Sequence, residues 1–148
     1  MSGNRTARHG RCHCGAVQFT AIGEPLFVAF CHCESCRRST GGALVAACGF
    51  RREDVAFAGA TPTYYISSPG VRRGFCARCG TSLTFESTRW PDDVHLMVGN
   101  FNSPESFTPQ CHVFAAEGMP WLRFADGLPR YRTVPSAGDL LPAEEPYD

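Results

Sequence analysis

The chain reads as all-β. Short apolar stretches recur along it, and several alternate apolar with polar residues at the period of two that suits a half-buried strand. Turn residues separate them at short intervals, as in Gly23-Glu24-Pro25, Ser67-Ser68-Pro69-Gly70 and Trp90-Pro91-Asp92-Asp93. No stretch sustains the 3.6-residue period of a long helix. Seven of the nine cysteines fall in three clusters, Cys12-His13-Cys14, Cys31-His32-Cys33-Glu34-Ser35-Cys36 and Cys76-Ala77-Arg78-Cys79. The strands are the scaffold that brings these clusters together.

In chain order, residues 1–8 form a polar, basic, flexible arm without the apolar segment of a secretory leader. A domain over residues 9–131 follows. Gly10-Arg11-Cys12-His13-Cys14-Gly15 is the first knuckle, with Gly15 free to take the left-handed backbone of a tight thiolate turn. Val17, Phe19 and Ala21 alternate in a strand over 16–22, and the apolar run 26–30 is a buried strand leading into Cys31. Arg37-Arg38-Ser39-Thr40-Gly41-Gly42 reads as a basic, glycine-rich loop. Strands are expected over 43–50 and 55–57. Residues 63–66 and 71–75 flank a turn and form a hairpin whose second strand delivers Cys76. Gly80 closes the third knuckle, 81–85 alternates again, and 94–99 is a further strand. Ser103 can cap a short helical turn with Pro104 at its first position. A strand over 111–115 and the anchors Trp121, Leu122, Phe124, Leu128 and Tyr131 complete the domain. Residues 132–148 are a Pro-rich acidic tail.

Composition excludes several function classes. The 148 residues suffice for one domain with an apolar core, and 43% hydrophobic with 19% charged content argues against wholesale disorder. Fourteen basic residues, all arginine, balance fourteen acidic ones, so the basic footprint of a nucleic-acid binder is missing. No apolar run approaches the ~20 residues that span a bilayer. The expected protein is cytoplasmic, a monomer or homodimer. In a reducing compartment, C-x-C and C-x-x-C pairs read as metal ligands rather than disulfides, and an odd total of nine suits a disulfide framework poorly.

Zinc prefers four soft ligands in a tetrahedron, so a site needs thiolate pairs aimed at one point. Cys12 and Cys14 with Cys76 and Cys79 make such a pair of pairs, and a structural zinc there would add to folding free energy. Cys31, Cys33 and Cys36 remain as a local trio with one coordination position open. An open three-thiolate zinc suits thiol capture, because the cation lowers a bound thiol's pKa. Two alternatives stand beside this. His32, His95, Cys48, Cys111 or His112 could close the trio, or Cys31 and Cys33 could pair with Cys76 and Cys79. Arg37 and Arg38 with the amides of Gly41 and Gly42 are candidates for holding a substrate carboxylate. His112 could line the same site, while Cys48 reads as core and His13 and His32 as spacers.

Taken together, Gly10-x-Cys12-His13-Cys14-Gly15, Cys31-His32-Cys33-x-x-Cys36-Arg37 and Phe75-Cys76-x-x-Cys79-Gly80-Thr81 resemble the glutathione-dependent formaldehyde-activating enzyme family, which also includes centromere protein V. The segment Trp121…Asp126-Gly127-Leu128-Pro129-x-Tyr131 resembles the family's ending, so the likeness covers roughly residues 9–131. It implies a β-tent-like fold of small zinc-stapled antiparallel sheets. It also implies two zincs per chain: a structural one at Cys12, Cys14, Cys76 and Cys79, and an open catalytic one at Cys31, Cys33 and Cys36. The implied chemistry is that of a carbon–sulfur lyase, reversibly joining glutathione to formaldehyde as S-hydroxymethylglutathione.

The leading expectation is therefore a zinc-dependent lyase-like enzyme acting on glutathione, or a similar small thiol, and a small aldehyde. The alternative is a non-catalytic zinc-stabilised module acting through protein partners. A zinc hydrolase is weaker, because no carboxylate is placed as general base; Glu34, inside the cluster, reads as solvated.

Overall fold

The structure, a computed structural model, describes residues 5–147. Among these, ten strands dominate: β1 (Ala7–Arg11), β2 (Val17–Ile22), β3 (Phe27–Cys31), β4 (Val45–Arg51), β5 (Val55–Gly59), β6 (Thr63–Ser68), β7 (Val71–Phe75), β8 (Ser82–Ser87), β9 (Asp93–Met97) and β10 (Cys111–Val113). One short helix, α1 (Glu34–Thr40), interrupts them. The all-β expectation holds. The chain forms two compact units, one containing the residues up to Phe27 and Cys48–Phe107, the other Val28–Ala47 and the chain from Thr108 onward.

The first unit is built on strand alternation. In β2, Val17, Phe19 and Ala21 are buried while Gln18 is exposed, as the period of two requires. β2 pairs antiparallel with β1 on one side and β5 on the other. Phe19 meets Phe101 edge-on at 5.0 Å, and Phe101 lies 4.6 Å from Phe107, so an aromatic cluster fills this core. Gly10 permits the close approach of β1: a Cβ there would lie 2.2 Å from the Phe19 ring and 2.6 Å from the Asn100 carbonyl oxygen. The expected hairpin is present as β6 and β7, continued antiparallel by β8 and β9. A register shift at Gly74/Phe75 marks where β7 leaves the ladder and runs into the third cysteine cluster.

β1 begins at Ala7, inside the stretch expected to be an arm. Ala7 and Arg8 pair with Ile22 and Ala21, while residues 1–4 lie outside the described residues. The strand has no apolar alternation to announce it, because its one buried residue is Gly10.

In the second unit, β10 lies parallel to β3, with Cys111 opposite Ala29, His112 opposite Phe30 and Val113 opposite Cys31. The expected loop after Cys36 is instead helix α1 and its C-cap. The Cys33 sulfur accepts the Cys36 amide as an N-cap, and Gly41, at φ 78°, donates its own amide to the Arg37 carbonyl. Cysteine is an unusual cap residue, so the residue type at Cys33 signals a metal knuckle and not a helix start. The acidic tail packs on arginines of its own unit, Arg130 with Glu144 and Arg132 with Asp139.

In the first unit, buried Glu86 accepts from Arg52 and from Arg72, the latter at 3.1 Å. Burial alone would raise its pKa, but the two guanidiniums outweigh it and hold the carboxyl below the usual range. Its stabilising contribution is complete above the unfolded carboxylate pKa and is lost as pH falls through the folded value. Glu86→Gln is expected to lower stability at neutral pH and to flatten the acid limb of stability against pH, measured by urea unfolding between about pH 3 and 6.

Candidate metal centres

Two knuckles of like construction build the first centre. Cys12 donates its amide to the Val17 carbonyl and accepts from Gly15; Cys76 donates to Thr81 and accepts from Gly80. Gly15 and Gly80 sit at φ 81° and 82°, where a Cβ would strain the turn. The cysteine amides therefore close their turns and leave the sulfurs free to converge. Cys12, Cys14, Cys76 and Cys79 bring all four sulfurs within 4.8 Å of one another. Cys12 and Cys76 are buried, and Cys14 and Cys79 lie at the surface.

The spacing identifies what this cage fits. Cys14 Sγ lies 3.6 Å from Cys12 Sγ and 3.8 Å from Cys76 Sγ. A disulfide requires about 2.05 Å. A tetrahedron with Zn–S of about 2.3 Å places its sulfurs roughly 3.8 Å apart. Four soft thiols without a carboxylate or carbonyl also suit zinc rather than calcium or magnesium.

Thr81 ties the two knuckles together and was not foreseen as a site residue. The His13 amide donates to its hydroxyl at 3.0 Å, and the same oxygen lies 3.2 Å from Cys79 Sγ. Hydrogen bonding by Thr81 holds the Cys79 thiol down to about 5. The available signal was a hydroxyl residue directly after the knuckle glycine.

The second centre sits where β3 ends and α1 begins. The Cys31, Cys33 and Cys36 sulfurs lie within 4.8 Å of one another, all three partly exposed. Among the described residues, no fourth His, Cys, Asp or Glu joins the trio, and no fifth joins the four-sulfur group. Hydrogen bonds to Cys33 and Cys36, then burial, push the Cys31 thiol above its ordinary range. The trio cannot ionise together without a cation to offset the repulsion. Its helix cap is additional order: Cys33 Sγ accepts the Cys36 amide at 3.2 Å, and Glu117 accepts the Glu34 amide at 3.0 Å.

The other residues expected at this site fare differently. Arg37 and Arg38 lie on α1, Arg38 paired with Glu34 at 2.9 Å and largely exposed, Arg37 with its Nε buried and unpartnered. The Gly41 amide donates to the Arg37 carbonyl and the Gly42 amide to Thr40 Oγ1. His112 lies in the interior. It is 1% exposed, with Nδ1 against His32 and Nε2 against Asp126, each at 2.8 Å. His32 is likewise buried, and desolvation with the neighbouring His112 pushes its pKa down to about 4. Cys48 is core, its sulfur 3.6 Å from the Leu96 carbonyl and its thiol pushed up to about 12 by burial. His95 stands among the rings of Phe27, Phe85 and Trp90. No helix among the described residues is long and apolar enough to cross a membrane.

The family model for glutathione-dependent formaldehyde-activating enzymes matches residues 7–117, spanning both cysteine groups. A protein of Halomonas elongata, whose provisional name is glutathione-dependent formaldehyde-activating enzyme, is 29% identical over 123 residues, covering 76% of this chain and 78% of its own. An uncharacterised lyase of Schizosaccharomyces pombe is 29% identical over 116 residues, covering 72% and 84%. A crystal structure of a Rhodobacter sphaeroides protein superposes with a TM-score of 0.54 at 28% identity, over 64% of this chain and 87% of that one.

Thr81→Val is expected to weaken metal binding at the four-sulfur centre by about 10–100-fold, measured by chelator competition. In the metal-free protein, alkylation of Cys79 should lose its midpoint near 5 and shift toward the ordinary thiol range.

Proposed function

This chain belongs to the glutathione-dependent formaldehyde-activating enzyme family, and from that premise we propose that it is a zinc-dependent carbon–sulfur lyase joining glutathione, or a similar small thiol, reversibly to formaldehyde or another small aldehyde. In this reading Cys12, Cys14, Cys76 and Cys79 hold a structural zinc, and Cys31, Cys33 and Cys36 hold a second one. The observation that carries it is the inequality of the two groups, four converging sulfurs against three. A zinc held by the trio would supply Lewis acidity, keeping an incoming thiol as its nucleophilic thiolate at neutral pH.

The chain's own residues supply placement. Cys33 caps α1, which fixes Cys36 one turn on and keeps both sulfurs on the side facing Cys31. Arg37 and Arg38 are the cations next along the helix. The exposed Arg38–Glu34 pair is weak enough to exchange for a substrate carboxylate. Arg37 offers a buried Nε in need of an acceptor. In the forward direction a carbon–sulfur bond forms, the carbonyl π bond opens, and the thiol's proton ends on the new hydroxyl. With His112 buried and both ring nitrogens engaged, water is the proton carrier in this reading. The reading places the protein in the cytosol, where glutathione and these free thiols stay reduced.

Exchange spectroscopy of glutathione with formaldehyde should show faster interconversion in the presence of zinc-loaded protein. Equal rates, together with no thiol binding, would overturn the assignment. Native mass spectrometry should find two zincs, falling to one with the fold kept in Cys33→Ser, whereas Cys79→Ser is expected to unfold the protein.

A further inference from the structure

We propose that Asp126, His112 and His32 form a positioning relay that sets how tightly the three-cysteine centre holds its metal. The inference rests on the reading of Cys31, Cys33 and Cys36 as a metal site. Its own support is a buried chain of hydrogen bonds that ends between two of those cysteines.

Asp126 Oδ2 lies 2.8 Å from His112 Nε2, and His112 Nδ1 lies 2.8 Å from His32 Nε2. His112 and His32 are 1% and 6% exposed. Each end is anchored. The other carboxylate oxygen of Asp126 accepts the Leu128 amide at 3.1 Å. The His32 amide donates to the Val113 carbonyl at 3.1 Å, and the His112 amide to the Pro129 carbonyl at 2.8 Å. Phe30 stacks on His112 at 5.0 Å, while Phe124 lies 4.8 Å from His112 and meets His32 edge-on at 5.7 Å. The rings are clamped as well as bonded.

The direction of the chain follows from donor chemistry. Asp126, its carboxyl held below the ordinary range chiefly by the His112 hydrogen bond against the opposing effect of burial, accepts only. With both imidazoles neutral, His112 carries its proton on Nε2 and accepts at Nδ1, and His32 donates from Nε2. His32 Nδ1 is left bare, facing the backbone of Gly118, where a Cβ would come within 3.2 Å of it. One carboxylate therefore selects the tautomer and ring orientation of a histidine whose two chain neighbours are Cys31 and Cys33. Releasing the ring would loosen the backbone from which both sulfurs project. Outer partners that orient metal-site residues typically matter by 10–100-fold in affinity.

Chelator competition on the intact protein separates the two centres. Asp126→Ala is expected to weaken the trio's zinc affinity by about 10–100-fold, to leave the four-sulfur centre within about twofold, and to be largely rescued by Asp126→Glu. In the zinc-loaded parent, long-range proton–nitrogen correlation should show His32 and His112 both as Nε2–H tautomers. This measurement needs no variant and decides the matter should Asp126→Ala fail to fold. A trio affinity unchanged by Asp126→Ala, or an Nδ1–H tautomer at His32, overturns the relay while leaving the proposed function standing. A parent protein that binds no metal at the trio overturns both.

Discussion

Sulfur crowding is the constraint on which the structure turns. Two thiolates about 4 Å apart repel by roughly 4 kcal/mol at the effective dielectric of a protein surface, several times the ~1 kcal/mol of an ordinary hydrogen bond. Seven sulfurs in two tight groups therefore demand either retained protons or cations between them. The backbone nonetheless commits to the crowding: left-handed glycines, amide-to-carbonyl closures and a thiol helix cap hold the sulfurs together. A chain so arranged is preorganised for soft divalent metal.

The groups differ in how they are built, and the proposed division into an anchor and a workplace rests on that difference. The first joins two knuckles far apart in sequence, and Thr81 stitches one to the other by way of the His13 amide and the Cys79 sulfur. Closing such a long loop restricts the unfolded chain, so a metal bound there would contribute to folding. The second draws on six consecutive residues, which closes almost no loop and gains little by that route. Its order comes from α1, from Glu117 at the helix start and from the histidines packed behind it. A site that would contribute little to folding, yet is held this firmly, suits the ligand-binding role proposed for it.

Much of this was legible in the residue pattern. Nine of the ten strands stand where alternation or apolar runs placed them, because half-buried strands write their burial into every second side chain. The seven sulfurs group as their spacing suggested, since C-x-C and C-x-x-C turns can aim their thiols in few ways. Three features were not legible. β1 buries a glycine rather than an apolar side chain, so its pairing leaves no periodic trace. Helix α1 hides behind Cys33, a cap whose residue type signals metal instead. The bonding of His112 leaves no local trace, because its partners, His32 and Asp126, converge on it only through the β3–β10 pairing and the return of the chain near Arg130.

Zinc K-edge absorption spectroscopy of the fully loaded protein tests the unequal pair of sites most directly. The account predicts an average of about 3.5 sulfurs and 0.5 lighter scatterers per zinc, rising to about 4 sulfurs when a thiol such as glutathione is added. Four sulfurs per zinc before any thiol is added, or no change on adding it, would contradict the account.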